Sequence, residues 1–259
     1  LDESVMSVWA RVLGYTIGIK KGQIHQVLIL AVLFAIQLSM FYFGLSKSNA
    51  SRGTLIVNLL PFWVLFLAHF FIPGDRITTR KFLGILLGFG GVAFMFAETK
   101  GVTAGFRVAE LLILLATFIW ACSVIYLKRI IAGFSPFQIT LYSMIFSVPI
   151  FFIEALLWDA PMVTHWDSKI IGALLYQSLV TAAFGFVAWN TLLQKYGAVA
   201  LHSFIFIMPI SGVALGGLVL GEPITVKILI ALALIVAGIL IVHLKPRKAE
   251  PVYPIRKGI

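Results

Sequence analysis

Long apolar runs separated by short polar links dominate this chain. Nine runs stand out: residues 4–19, 24–44, 53–72, 82–97, 108–127, 137–158, 170–193, 198–220 and 228–244. Most approach the ~20 residues that an α-helix needs to cross a ~30 Å hydrocarbon core. Two-residue alternation is absent and the runs exceed strand length, so helices are expected rather than a barrel. The first run is short and contains Arg11. Asp2 and Glu3 precede it instead of lysine or arginine, so it does not read as a signal peptide.

Composition sharpens this picture. Of 259 residues, 61% are apolar and 12% charged. A soluble domain carries about 45–50% and about 25%. The apolar surface implied disfavours a soluble enzyme or a disordered chain. The net charge of +10 is spread as short basic pairs between runs, not as one stripe, so no nucleic-acid partner is expected. The single cysteine, Cys122, excludes a disulfide or a cysteine-based metal site within the chain. With alternate links on opposite sides, thirteen lysines and arginines fall on one side and six on the other, and Arg11 within a run completes the 20. The richer side, with the C-terminal tail, is expected in the cytoplasm. The expected location is a multi-pass position in the cell (inner) membrane, with the lipid bilayer as solvent.

The chain also repeats itself. Pro61 matches Pro209; after one gap, Gly-Asp-Arg-Ile-Thr at 74–78 matches Gly-Glu-Pro-Ile-Thr at 221–225, Arg80 matches Lys227, and Gly91 matches Gly238. Both stretches run link, proline-bearing helix, acidic turn, glycine-bearing helix. The second copy reads as five helices, the first as four. An odd helix number turns one copy upside down, the plan of many secondary transporters. The expected fold is therefore all-α and polytopic: two inverted-topology repeats of five helices, with nine helices present. The first repeat covers 1–99, the second 105–246, and a basic tail 247–259. A further helix is expected upstream of Leu1.

This arrangement resembles the drug/metabolite transporter superfamily, EamA type. Gly-Glu-Pro-Ile-Thr at 221–225 resembles the turn before that family's last helix, and 74–78 its weaker twin. Pro61, Pro209, Phe118-Ile119-Trp120-Ala121, Ser135-Pro136 and Arg11 also fit. The resemblance spans nearly the whole chain. It implies a small-molecule carrier and a peripheral place for the last helix of each repeat. It says little about substrate.

Candidate functional residues are the polar groups inside the runs. Arg11 is costly at mid-membrane and would anchor an anionic or zwitterionic solute. Gln37, Asn58, Gln177 and Asn190 are amides that either bind ligand or hydrogen-bond between helices. Trp120 and Tyr142 lie too deep for an interfacial belt and would line a cavity. Pro61 and Pro209 each remove a backbone donor and are the gating candidates. Glu110 and Glu154 read as solvated acids at helix ends, which leaves proton coupling unsupported. Gly84 and Gly88 form a close-packing pair, read as scaffold or as a homodimer contact through the last helix of each repeat. No catalytic residue, metal ligand or cofactor is expected, since the five histidines lie in separate runs or links and no phosphate loop is present. The expected function is a secondary transporter of a small polar metabolite or drug-like solute, working by alternating access. The alternative is a non-transporting membrane scaffold or channel subunit.

Overall fold

In the computed structural model the described residues are 18–19, 21–73, 77–97, 104–158, 166–185, 187–189, 191–192 and 207–243. They fold into helices: α1 (Ile24–Ser46), α2 (Ala50–Phe71), α3 (Thr79–Phe96), α4 (Ala104–Ile130), α5 (Pro136–Trp158), α6 (Ser168–Leu175, continuing as a π-helix over Tyr176–Gly185), α7 (Ile207–Leu220) and α8 (Val226–His243). Six are long and apolar enough to cross a membrane, and α7 and α8 are shorter apolar helices.

Among the described residues there are eight helices, not the expected nine in two five-helix repeats. Eight apolar runs coincide with α1–α8. The ninth, 4–19, lies outside the described residues, with Arg11. The expectation came from counting apolar stretches, and that short, arginine-bearing run was the weakest member. The five-plus-five parity rested on it.

The chain divides into two compact units. One holds the described residues up to Ala35 and those from Tyr126 to 192. The other holds Ile36–Ile125 and the described residues after 206. In the first unit, Val27, Leu30, Phe134 and Ile139 form a buried cluster. Ser135 and Gln138 cap α5 reciprocally: the Ser135 N–H donates to Gln138 Oε1 at 2.7 Å and the Gln138 N–H to Ser135 Oγ at 3.2 Å. Pro136 sits between them, where a helix needs no N–H. This explains Ser135-Pro136 as a helix start.

The second unit is built on a glycine-lined crossing of α3 and α8. A Cβ on Gly84 would lie 2.8 Å from the Gly238 carbonyl oxygen, and one on Gly91 2.9 Å from that of Ala231. Phe62 fills the remaining notch; a Cβ on Gly88 would lie 2.2 Å from its ring and one on Gly238 3.1 Å. Leu55, Ile56, Leu59, Val92, Met95, Ile113, Val213 and Ile235 complete the core. The helices are antiparallel and lend each other capping groups. Arg80, in the first turn of α3, donates to the Ile241 carbonyl at 2.7 Å. Lys227, in the first turn of α8, donates to the Ala97 carbonyl at 3.4 Å. Thr78 accepts from the Lys81 N–H and Thr225 from the Ile228 N–H, at 3.4 and 3.3 Å. Residues matched in the sequence repeat thus perform the same task in each helix. Outward faces carry exposed apolar side chains, among them Phe82, Leu86, Leu218 and Leu229.

Gly238→Val forces a side chain into backbone and ring atoms. Overpacking of this kind costs about 1–3 kcal/mol. Gly90→Ala, where nothing lies within 4 Å of the new methyl, removes a helix-interior glycine and should stabilise by about 0.5–1 kcal/mol. Thermal unfolding of the purified protein in detergent should show the two midpoints moving in opposite directions.

Candidate functional site

α2 is a broken helix. Its first segment, Ala50–Val57, ends at Asn58, and the second, Leu60–Phe71, begins with Pro61 in its first turn. Pro61 cannot donate to the Val57 carbonyl, so the ladder stops there. Asn58 caps the first segment through Nδ2 to the Thr54 carbonyl at 2.8 Å. The second segment restarts with the Phe62 and Trp63 N–H groups both reaching the Leu59 carbonyl at 3.0 Å. Pro61 therefore separates two segments rather than kinking one helix. In α7, Pro209 is buried in the first described turn.

The first segment is tied to α7 and its following turn. Thr54 packs on Gly212 and Ser51 on Gly216, where added methyls would lie 2.2 and 2.4 Å from their side chains. The Glu222 carboxylate accepts from the Ala50 N–H at 2.6 Å, the Ser51 N–H at 2.8 Å and the Ser51 hydroxyl at 2.6 Å. Asn49 accepts from the Arg52 N–H at 3.0 Å. A carboxylate at a helix N-terminus satisfies orphan donors and meets the positive end of the dipole. Burial pushes the Glu222 carboxyl up, but the Ser51 hydroxyl and the Ser51 and Ala50 N–H groups outweigh it, and its pKa lies below the ordinary carboxylate value.

On the other side of the segment lies a buried ion pair. Arg52 Nε donates to Glu110 Oε1 of α4, with Arg52 4% and Glu110 0% exposed. Arg52 Nη2 also reaches the Met95 carbonyl at the end of α3, at 3.3 Å. Glu110 is therefore no solvated helix-end acid, and Arg52 is not a link residue. Glu110 Oε2 is buried without a hydrogen-bond partner.

Within this unit, Gln37 is buried and accepts from the Ser123 hydroxyl at 3.0 Å, joining α1 to α4. Trp120 is half-buried on α4. Trp63, beside the break, packs edge-on against Phe89 and Phe118 at 4.6 and 5.0 Å, and its Nε1 is buried without a partner. In the first unit, Tyr142 is half-buried on α5, 6.0 Å from Phe146, and Gln177 is exposed in the π-helical stretch. Arg11 and Asn190 lie outside the described residues. The structure thus groups Gln37, Asn58, Trp120, Pro61 and Pro209 in one unit, and Tyr142 and Gln177 in the other. Sequence reasoning missed Arg52, Ser51, Ser123 and Glu222 as interacting groups. No group of three or more metal-ligating side chains occurs among the described residues.

Apolar outward faces with polar groups paired inside define a helical membrane protein with interior polar chemistry. The sequence model of the EamA-like transporter family matches residues 5–97 and 107–244, so the chain belongs to that family. It is a multi-pass membrane protein that moves a small molecule across the bilayer, in a family of transporters rather than enzymes. Among its relatives, an uncharacterized transporter of Archaeoglobus fulgidus is 25% identical over 213 residues, 81% of this chain and 74% of that one. Proteins named probable amino-acid metabolite efflux pump are 26% identical in Escherichia coli, over 80% of this chain and 71% of theirs, and 28% identical in Salmonella typhimurium, over 88% and 75%. A solved crystal structure matches with a TM-score of 0.68 at 15% identity, covering 94% of this chain and 83% of that one, a likeness of fold.

Removing Arg52 alone strands a buried carboxylate. Arg52→Met should cost about 3–5 kcal/mol, and the double change Arg52→Met, Glu110→Leu should recover most of it. Denaturant unfolding in mixed micelles, run as a four-protein cycle, measures the coupling. Glu222 has a depressed pKa, so its stabilisation is full above the ordinary value of 4.5 and is lost as pH falls through the lowered one. Glu222→Ala should cost about 0.5–2 kcal/mol at neutral pH, the range for a lost helix cap, and remove this acid dependence of stability.

Proposed function

We propose that the chain is a secondary transporter that carries a small polar metabolite of the amino-acid class by alternating access between its two sequence halves, 1–99 and 105–246. The observation that carries this reading is the break in α2 at Asn58 and Leu59, inside an apolar spanning segment. Interrupted backbone is tolerated at membrane depth only where protein buries it or a cavity adjoins it. Gln37, Asn58, Trp120, Tyr142 and Gln177 form the proposed solute-contacting set, with Arg11 and Asn190 completing it. Pro61 and Pro209 are the proposed flex points. An amino-acid-like solute agrees with the names of the enterobacterial relatives and with an arginine as carboxylate anchor. The membrane is the cell (inner) membrane, with the C-terminus in the cytoplasm, as the distribution of lysine and arginine suggests. A homodimer through α3 and α8 would use their outward faces, around Phe82, Leu86 and Leu229, because their glycine faces are filled within the chain.

The test is flux of radiolabelled amino acids and related metabolites in proteoliposomes. Saturable uptake is expected. Asn58→Ala and Gln37→Ala should each lower kcat/KM about tenfold, equivalent to about 1.4 kcal/mol of lost solute contact. Pro61→Ala should lower kcat with little change in KM. Flux no greater than in protein-free vesicles, for every solute and with folding verified, would remove the carrier reading.

A further inference from the structure

Trp63 is rooted in the turn that restarts α2. Its backbone N–H is one of the two that reach the Leu59 carbonyl, at 3.0 Å. The residue before it, Phe62, is fixed in the notch between Gly88 and Gly238. Successive side chains on an α-helix lie about 100° apart, so the anchoring of Phe62 sets the direction of Trp63. The indole is edge-on to Phe89 of α3 at 4.6 Å and to Phe118 of α4 at 5.0 Å, with Phe66 of its own helix at 6.3 Å. It packs against both buried clusters of this unit, the one around Leu59 and Met95 and the one around Leu67 and Ala121. The residue is half-buried overall, so the ring is not sealed in, yet its Nε1 is buried and no acceptor meets it.

Packing alone does not account for an indole at this position. A phenylalanine would fill the same aromatic surround without burying a donor, and a buried donor left unmade costs more than a made hydrogen bond returns. Phenyl faces are only weak acceptors for an N–H group. We propose that Trp63 is a specificity-determining residue of the solute site, whose indole N–H donates to an uncharged oxygen on an otherwise apolar side chain of the solute. The proposal rests on the transporter reading and names one contact within it.

The surroundings of the indole set the chemistry of its partner. An indole N–H only donates, so the partner must accept. The rings packed on it are uncharged and apolar, and the buried ions of this unit, Arg52 and Glu110, are bound to each other. An anionic oxygen would give up its hydration here for a single neutral donor, whereas an amide, ketone or ether oxygen gives up far less. The solute's carboxylate is then left to an arginine, as in the transporter reading. Phe89 and Phe118 offer apolar surface to the rest of the side chain. Such a site also rejects a solute without the acceptor, because the buried donor then stays unpaired.

Indole NMR of the full chain in lipid nanodiscs, with equilibrium binding beside it, tests the contact without any flux. The six tryptophans are isotope-labelled at the indole nitrogen, and the signal lost in Trp63→Phe is that of Trp63. The probes are isosteric pairs that exchange an ether oxygen for a methylene: O-methylhomoserine against norleucine, and O-methylserine against norvaline. In at least one pair the ether should move the Trp63 N–H proton downfield while its hydrocarbon twin does not, and should bind about tenfold more tightly, the scale of one hydrogen bond. Trp63→Phe, which keeps a ring and loses the donor, should level the pair by weakening the ether. Trp166→Phe, at an exposed position, should retain the preference. The unmodified protein decides the case even where Trp63→Phe fails to fold. Equal binding within both pairs, no movement of the Trp63 proton, or no binding of any of these solutes would overturn the contact, as would a preference that survives in folded Trp63→Phe. In proteoliposomes the same preference should appear in kcat/KM. Binding with the expected preference but no flux of any solute would instead remove the transport reading and leave the contact standing.

Discussion

Two backbones touch where α3 crosses α8, at Gly84 with Gly238 and at Gly91 with Ala231. Lipid tails are as apolar as leucine, so burial alone does not hold membrane helices together. Close backbone approach and dispersion must do it, and only small residues permit the approach. The crossing also creates the notch that accepts Phe62, the residue directly after Pro61. Packing at one point therefore fixes where the second segment of α2 begins. Arg80 and Lys227 then satisfy carbonyls at the ends of the partner helix. Helix ends are where a membrane protein has most unsatisfied backbone, and each helix supplies the other's missing donor.

The same logic, applied to charge, explains the end of the unit where α2 starts. Arg52 occupies the first turn of a helix, where a cation opposes the dipole. Two carboxylates offset that placement. Glu222 sits on the helix N-terminus, and Glu110 takes the guanidinium itself. The guanidinium and Lys227 in turn face carbonyls at the C-terminus of α3, where cations are favoured. Each charge has at least one partner of opposite sign or dipole, which is how an apolar environment accommodates so many.

How much of this the sequence disclosed follows from the range of each interaction. Runs of apolar residues marked nine helices, and eight of them coincide with α1–α8, because span length is a local property. The repeat paired Arg80 with Lys227 and Thr78 with Thr225, which keep their register along the chain, but not the reciprocal caps that they form. Ser135 and Gln138 were readable as a helix start for the same local reason. The Arg52–Glu110 pair was not legible, because its members are 58 positions apart and each alone resembles an interfacial charge. One signal was available: Asn49 as a cap would have put Arg52 inside a helix, against the dipole, in need of a carboxylate. The helix count differs because the ninth run, the short arginine-bearing one at 4–19, lies outside the described residues. For the solute-contacting set, side-chain type alone left each amide with two roles. Gln37 is seen in one of them, bonded to Ser123 between helices.

The design places its strongest and weakest constraints side by side. Glycine contacts between α3 and α8, and between α7 and the start of α2, join backbone to backbone or short side chain to backbone, and depend on no protonation state above the acid range of Glu222. The Arg52–Glu110 contact is instead a charged pair buried between side chains. A buried pair of this kind contributes little net stability, because desolvation offsets attraction, yet losing one partner is costly. That asymmetry makes the pair a requirement of the fold more than a source of its stability. A strut gains from apolar packing, which α4 could have supplied with a leucine at position 110. A carboxylate there instead neutralises the guanidinium that the start of α2 brings inside.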